Sequence, residues 1–156
     1  MPLRRFSWQN RPTYQQVVSF PAHRGDAVAN LASGRKASAS SVQSFLYPAS
    51  KAVDGDPTTR WSSASSDDQH IQVDLGTATT VARVVLRWEA AYGAAYSIQT
   101  SADGSTWTTV SATTTGNGGV DNVTFSPTTA RHIRVQGVRR GTSNGYSLYE
   151  LEVYPR

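Results

Sequence analysis

The segment QHIQVDLG, residues 69–76, alternates polar and apolar side chains with the period of an extended strand. The segment VARVVLRW, residues 81–88, repeats the pattern and turns Arg83 and Arg87 away from the apolar face. Both segments therefore predict strands that bury one face, and Trp88 is expected in the core. The apolar positions are Ile71, Val73, Leu75, Ala82, Val84, Leu86 and Trp88.

Similar short segments continue to the end of the chain, rich in Thr, Val and Tyr and separated by Gly, Asn and Asp. They are residues 96–100, 107–110, 120–125, 131–138 and 147–154. No window shows an amphipathic helix longer than a turn or two. This spacing predicts an all-β fold, an antiparallel jelly-roll β-sandwich of about eight strands.

Composition limits the class of protein and the partners. The 156 residues suit one domain, and the absence of cysteine excludes disulfides and thiolate metal sites. Residues 1–29 hold four arginines against one aspartate, whereas residues 30–156 are almost neutral. We therefore predict a basic N-terminal arm or interdomain connector, residues 1–29, and a folded module, residues 30–156. Because the module lacks a broad basic face, nucleic acid is not expected as a partner.

The segment KAVDGDPTTRW, residues 51–61, has the composition of a turn and carries several oxygen-bearing side chains. Asp54, Asp56 and Thr59 can direct oxygens at one centre, as Ca²⁺ requires. The alternative is an Asx turn that satisfies its own hydrogen bonds. Because the first and last parts of a sandwich meet, Glu150 in the last strand is expected to complete such a site, and the cation would be structural.

Six segments, in family order, resemble the discoidin family, also called the coagulation factor 5/8 type C domains. They are residues 30–41, 52–61, 71–76, 101–107, 131–135 and 148–154. The resemblance implies that Trp61 and Trp107, which lie in two of these segments, pack in the core. Within that superfamily the chain is most similar to the bacterial family-32 carbohydrate-binding modules, which are appended to glycoside hydrolases and polysaccharide lyases. The blood-clotting branch differs, because a disulfide joins the two ends of its domain.

The resemblance implies a structural Ca²⁺ held by the carbonyls of Lys51 and Tyr149 and by Asp54, Asp56, Thr59 and Glu150. It also implies a secreted, monomeric, non-catalytic module that binds a polysaccharide and holds an attached catalytic domain on its substrate. No nucleophile, zinc or phosphate-loop motif opposes that interpretation. Glu150 and Glu152 have the spacing of a glycosidase pair, but Glu150 is assigned to the metal, and Glu152 is expected to face solvent or an arginine.

The resemblance places ligands at loops on one rim of the sandwich, and three loops carry more aromatic and charged residues than a connection needs. They are residues 44–47, 88–96 and 139–146. Aromatic rings pack on the C–H face of a sugar, while carboxylates, carboxamides and guanidinium groups bind its hydroxyls. The candidate ligand-binding residues are Glu89, Tyr92, Arg139, Arg140, Asn144, Tyr146, Phe45 and Tyr47.

Several alternatives remain open for these loops. Tyr92 is as readily exposed as packed, Tyr146 projects from a turn, and Tyr96 belongs to the core. Glu89 is expected either to bind ligand or to pair with Arg139 or Arg140. A glucan, an amino-sugar polymer and a galactoside all fit the pattern. A phospholipid surface, gripped by residues 45–47, and a protein partner are the alternatives to a sugar.

Overall fold

The computed structural model describes residues 28–156, and that range contains seven β-strands and one short 3₁₀ helix at Ala49–Ala52. The strands are β1 (Lys36–Ala39), β2 (Trp61–Ser62), β3 (His70–Trp88), β4 (Gly93–Ser101), β5 (Thr108–Thr113), β6 (Val120–Arg140) and β7 (Ser147–Tyr154). No helix in this range is long and apolar enough to cross a membrane. Nearly all of the predicted arm, residues 1–27, lies outside the described residues.

Every strand pairing is antiparallel, in the order β2-β7-β3-β6-β4-β5, with β1 also on β3. The first part of β3 pairs with β1 and the end of β6, whereas its last part pairs with β7 and the start of β6. A register shift between Asp74 and Thr79 separates the two parts. The predicted all-β sandwich is confirmed, and the strands predicted separately at 69–76 and 81–88 are one strand.

Aromatic packing organises the core at the end of β3. Trp88 is buried, and its ring meets that of Tyr96 edge-on at 5.5 Å between centroids. The Trp88 indole N–H and the Tyr96 hydroxyl both donate to Asp121 Oδ2, at 2.9 and 2.6 Å. Burial and this hydrogen bond raise the pKa of Tyr96. Both rings are therefore structural, as predicted.

Trp107 departs from its predicted core role. Its side chain is half-buried, and the guanidinium carbon of Arg134 lies 4.0 Å from the ring centroid. Trp107 is not part of the main core, and its ring packs against an arginine instead. Glu152, expected to face solvent or an arginine, pairs with Arg87 at 2.6 Å.

The two ends of the module meet, as the sandwich required. The Leu31 amide donates to the Val153 carbonyl at 2.8 Å, and Asn30 Oδ1 accepts from the amides of Val153 and Ala32 at 2.9 and 3.0 Å. Asn30 therefore joins the start of the domain to its last strand.

We expect Asn30→Ala to lower the free energy of unfolding by about 1–3 kcal/mol, because two partly buried amides lose their acceptor. Asn30→Asp keeps that acceptor and serves as the matched control. Urea denaturation measures both variants, and equal midpoints for Asn30→Ala and the wild type would contradict this role for the side chain.

Candidate functional site

A depression of about 140 Å³ lies at the rim of the sandwich where β3 ends. It is lined by Gln43, Arg60, Ser62, Glu89, Ala91, Asn144, Gly145 and Ser147. Two predicted ligand residues, Glu89 and Asn144, therefore lie together, although about fifty residues of chain separate them. We call this depression the rim pocket.

Local structure fixes the orientation of Glu89. It directly follows Trp88, so the buried ring anchors the backbone from which the carboxylate projects. The Glu89 amide donates to the Ser147 carbonyl at 2.9 Å, and Glu89 Oε1 accepts from the Ala91 amide at 3.0 Å. The other oxygen, Oε2, has no hydrogen-bond partner within residues 28–156, so the pocket holds a carboxylate with remaining acceptor capacity.

Of the two alternatives for Glu89, the pairing with Arg139 or Arg140 is not found. Arg140 instead pairs with Asp67 at 2.8 Å, and this contact lowers the pKa of that aspartate. Arg139 donates to the Thr114 carbonyl at 3.3 Å. Neither arginine lines the rim pocket. The ion pairs found within residues 28–156 do not include Glu89.

Arg60 supplies the positive charge of the pocket, and sequence reasoning missed it. Its guanidinium carbon lies 4.1 Å from the centroid of the Tyr47 ring, and its Nε donates to Ser62 Oγ at 3.2 Å. Tyr47 thus supports Arg60 and does not line the pocket. The available signal was that Arg60 directly precedes β2, whose first residue, Trp61, is buried, since successive side chains along an extended chain point to opposite sides.

Gln43 and Asn144 add two carboxamides to the pocket. Gln43 was also missed, because no local pattern distinguishes it from the neighbouring serine residues. The backbone N–H of Asn144 donates to Thr142 Oγ1 at 3.2 Å. Position 145 requires glycine, because a Cβ there would lie only 2.2 Å from the Ser63 carbonyl oxygen. The close approach of these two loops shapes one wall of the pocket.

The prediction that Tyr146 projects from a turn is wrong. Its side chain is 2% exposed, and its hydroxyl donates to the Asp67 carbonyl at 2.8 Å. A Cβ on Gly137 would lie 2.4 Å from the ring, so this glycine makes room for it. Burial of the ring and the hydrogen bond of its hydroxyl therefore outweigh the exposure that the preceding turn dipeptide suggested.

Tyr92 is packed within the fold. The ring is half-buried against the core, and added Cβ atoms on Gly118 and Gly141 would lie 3.3 and 2.3 Å from it. Tyr92 does not line the rim pocket. Phe45, by contrast, is 88% exposed and stands on the loop that supplies Gln43.

Residues predicted to hold calcium come together where the loop that follows the 3₁₀ helix meets β7. The Gly55 amide donates to Glu150 Oε1 at 3.0 Å, and Thr59 Oγ1 donates to Asp54 Oδ2 at 2.6 Å. Glu150 is 6% exposed. Burial, and then the neighbouring Asp54 carboxyl, raise the pKa of Glu150 to about 8. Two carboxyl groups in this setting need a shared proton or a cation.

The remaining donors are neutral oxygens. The Asp56 carboxylate accepts from the Thr58 amide and hydroxyl at 2.9 and 2.6 Å, which leaves the Asp56 carbonyl, 3.2 Å from Thr59 Oγ1, on the side of Asp54. Tyr149 has no partner in the register of β7 with β3, because a register shift lies between Leu148 and Glu150. Lys51 lies in the 3₁₀ helix. Residues 28–156 contain no group of three acidic, histidine or cysteine side chains that could by themselves hold a metal ion. The donor set fits Ca²⁺, which accepts carbonyl and hydroxyl oxygens.

Together, the fold and the rim pocket define a β-sandwich binding module. Residues 36–151 match the F5/8 type C domain, and the chain belongs to that family.

Relatives agree with this assignment. The chain is 52% identical to the crystal structure of chitosan-binding module 1 from a chitosanase/glucanase of Paenibacillus sp. IK-5, over 81% of this chain and 98% of that one, with a TM-score of 0.79. The family 32 carbohydrate-binding module of C. perfringens NanJ, solved with galactose, is 30% identical over 81% of this chain and 97% of that one, with a TM-score of 0.70.

A curated relative is the polysaccharide lyase 8 family protein HylA of Enterococcus faecalis. It is 38% identical over 80 residues, which are 49% of this chain and 6% of the lyase. The chain therefore spans only a small part of that relative's length.

Proposed function

We propose that this protein binds an amino-sugar polymer of the chitosan type through the rim pocket. The observation that supports the choice of sugar is Glu89, a fixed carboxylate that forms no ion pair with an arginine or lysine among residues 28–156. Such a group is suited to the ammonium of a glucosamine unit. The protein is a non-catalytic carbohydrate-binding module, and its family and relatives support a carbohydrate ligand over a phospholipid.

The other pocket residues supply groups for sugar hydroxyls. Gln43 and Asn144 each offer a carbonyl and an amino group, and Arg60 offers fixed donors over the Tyr47 ring. The pocket volume of about 140 Å³ is below the ~300 Å³ at which drug-sized ligands fit. We therefore propose that the pocket takes one sugar unit.

We further propose that the module belongs to a secreted polysaccharide-degrading enzyme and keeps its catalytic domain on the polymer. The support is the origin of the relatives, a chitosanase/glucanase and a polysaccharide lyase. A tethered module raises the local concentration of the catalytic domain, so millimolar to micromolar affinity, on the order of 4–8 kcal/mol, would suffice for this role.

Affinity electrophoresis tests the choice of sugar. Chitosan, its N-acetylated form, laminarin, galactan, pectin and alginate are each cast in the gel. We expect retardation by chitosan and much less by the acetylated polymer, because acetylation removes the ammonium that Glu89 binds. Equal retardation by laminarin or galactan would contradict the amino-sugar assignment while keeping a carbohydrate ligand.

We also propose that a Ca²⁺ ion, bound by Asp54, Thr59 and Glu150 and by the carbonyls of Lys51, Asp56 and Tyr149, stabilises the module. The support is the buried Glu150 beside Asp54, two carboxyl groups that a divalent cation would neutralise together. The ion would join the loop at 51–59 to β7.

Calcium is therefore expected to raise the free energy of unfolding by about 2.7 kcal/mol at a concentration of ~100 times its Kd. Thermal denaturation in Ca²⁺ and in EGTA measures this, and Asp54→Asn is expected to remove the difference. Asp103→Asn, on the far turn between β4 and β5, is the control and should keep it. An identical Tm in Ca²⁺ and EGTA for the wild type would contradict the site.

A further inference from the structure

One loop beside the rim pocket carries several of the exposed large apolar side chains of residues 28–156. Within residues 28–156, five large apolar side chains are exposed, and three of them, Val42, Phe45 and Leu46, lie on residues 41–47. Phe45 is 88% exposed and Leu46 is 60% exposed. We call residues 41–47 the apolar loop. Apolar side chains concentrated at one place on a surface indicate a binding site, because leaving them in water costs free energy.

Hydrogen bonds hold the apolar loop in place. The Gln43 amide donates to the Ser62 carbonyl at 2.7 Å, and the Ser62 amide donates to the Tyr47 carbonyl at 3.2 Å. The buried Trp61 donates from its indole N–H to the Ser41 carbonyl at 3.1 Å. The loop is therefore fixed at both ends, and its exposed ring is presented in advance. A ligand that packs on Phe45 would pay little to order this backbone.

The loop is continuous with the rim pocket. Gln43 lines the pocket. Tyr47 lies under Arg60, another residue that lines the pocket. Phe45 lies between Gln43 and Tyr47 in the chain. A pocket of about 140 Å³ takes one sugar unit, so the next unit of a bound polymer must pass over the rim. The C–H face of a pyranose is apolar and packs on an aromatic ring, whereas its hydroxyl edge does not.

We infer that the apolar loop is a second subsite, in which Phe45 packs on the sugar unit next to the one held in the rim pocket. Its occupant is the same glycan chain, and this inference rests on the proposed function. The two subsites differ in chemistry. The pocket recognises charge and hydroxyls, while the loop recognises the apolar face of any pyranose and therefore adds affinity for longer chains.

Isothermal titration calorimetry of glucosamine monomer and tetramer tests this inference with wild type, Phe45→Ala and Val120→Ala. We expect the wild type to bind the tetramer more tightly than the monomer. Phe45→Ala should weaken tetramer binding by about threefold to tenfold and leave monomer binding unchanged. Val120→Ala removes a 59% exposed apolar side chain elsewhere on the surface, and it should match the wild type.

The outcomes separate this inference from the proposed function. Tetramer affinity that is unchanged in Phe45→Ala would overturn the second subsite and leave the pocket intact. Failure of the wild type to bind either oligomer would overturn the proposed sugar and the inference with it. Sedimentation with phosphatidylserine vesicles provides a further arm. Vesicle binding that is lost in Phe45→Ala, with tetramer affinity unchanged, would assign the loop to a membrane and overturn the inference.

Discussion

Replacing Glu89 with glutamine is expected to weaken the binding of glucosamine oligomers by roughly 10- to 100-fold. The substitution keeps the size of the side chain and the acceptor that holds the Ala91 amide, but it removes the negative charge. Hydrogen bonds to charged groups contribute about 1.5–3 kcal/mol, which corresponds to this loss. Calorimetry with the tetramer measures it, and circular dichroism verifies the fold.

A matched control for this change is Glu152→Gln. Glu152 pairs with Arg87 on the outer face of the sheet and does not line the rim pocket, so its substitution should leave sugar affinity unchanged. The N-acetylated tetramer gives a second comparison, because Glu89→Gln should weaken its binding much less than that of the charged tetramer. If Glu89→Gln bound both oligomers like the wild type, the ammonium would not be recognised by Glu89.

Trp61→Ala is expected to lower the free energy of unfolding by about 3–5 kcal/mol, the usual cost of removing a large buried aromatic side chain. Trp61 is 2% exposed and packs in the main core. Its loss also leaves the Ser41 carbonyl without its indole donor and detaches one end of the apolar loop. Guanidinium denaturation measures the change, and sugar affinity should fall together with stability.

Trp107→Ala removes a side chain of the same size and serves as the control. Trp107 is half-buried under Arg134 and outside the core, so much of its surface is exposed to water already. We expect it to cost about 1–2 kcal/mol, well below the cost at Trp61. Equal losses in the two variants would contradict the assignment of Trp61 as the deeper anchor.

Sequence reasoning succeeded where the signal was local and periodic. The alternation in residues 69–76 and 81–88 predicted which residues are buried, and Ile71, Val84 and Leu86 are each 0% exposed. It also placed Trp88 and Tyr96 in the core. It divided one long strand into two, because the residues at the register shift between Asp74 and Thr79 resemble a turn in the sequence.

Prediction of the candidate site was only partly successful, for a physical reason. Glu89 and Asn144 were identified from their residue types, but Tyr146 was misjudged because its exposure depends on the room that Gly137 leaves on a neighbouring strand. Tyr92 depends in the same way on Gly118 and Gly141. Such contacts join residues far apart in the chain, so no local pattern contains them.

The amino-acid sequence alone determined the all-β class, the buried face of each strand, the family and the residues suited to a calcium ion, since each follows from local period or from motifs. Tertiary structure alone decided which groups share the rim pocket. It brought Gln43 and Arg60 to Glu89, paired Arg140 with Asp67 instead, and left Phe45 uncovered. These outcomes depend on how loops pack against one another, and that packing is a property of the whole fold.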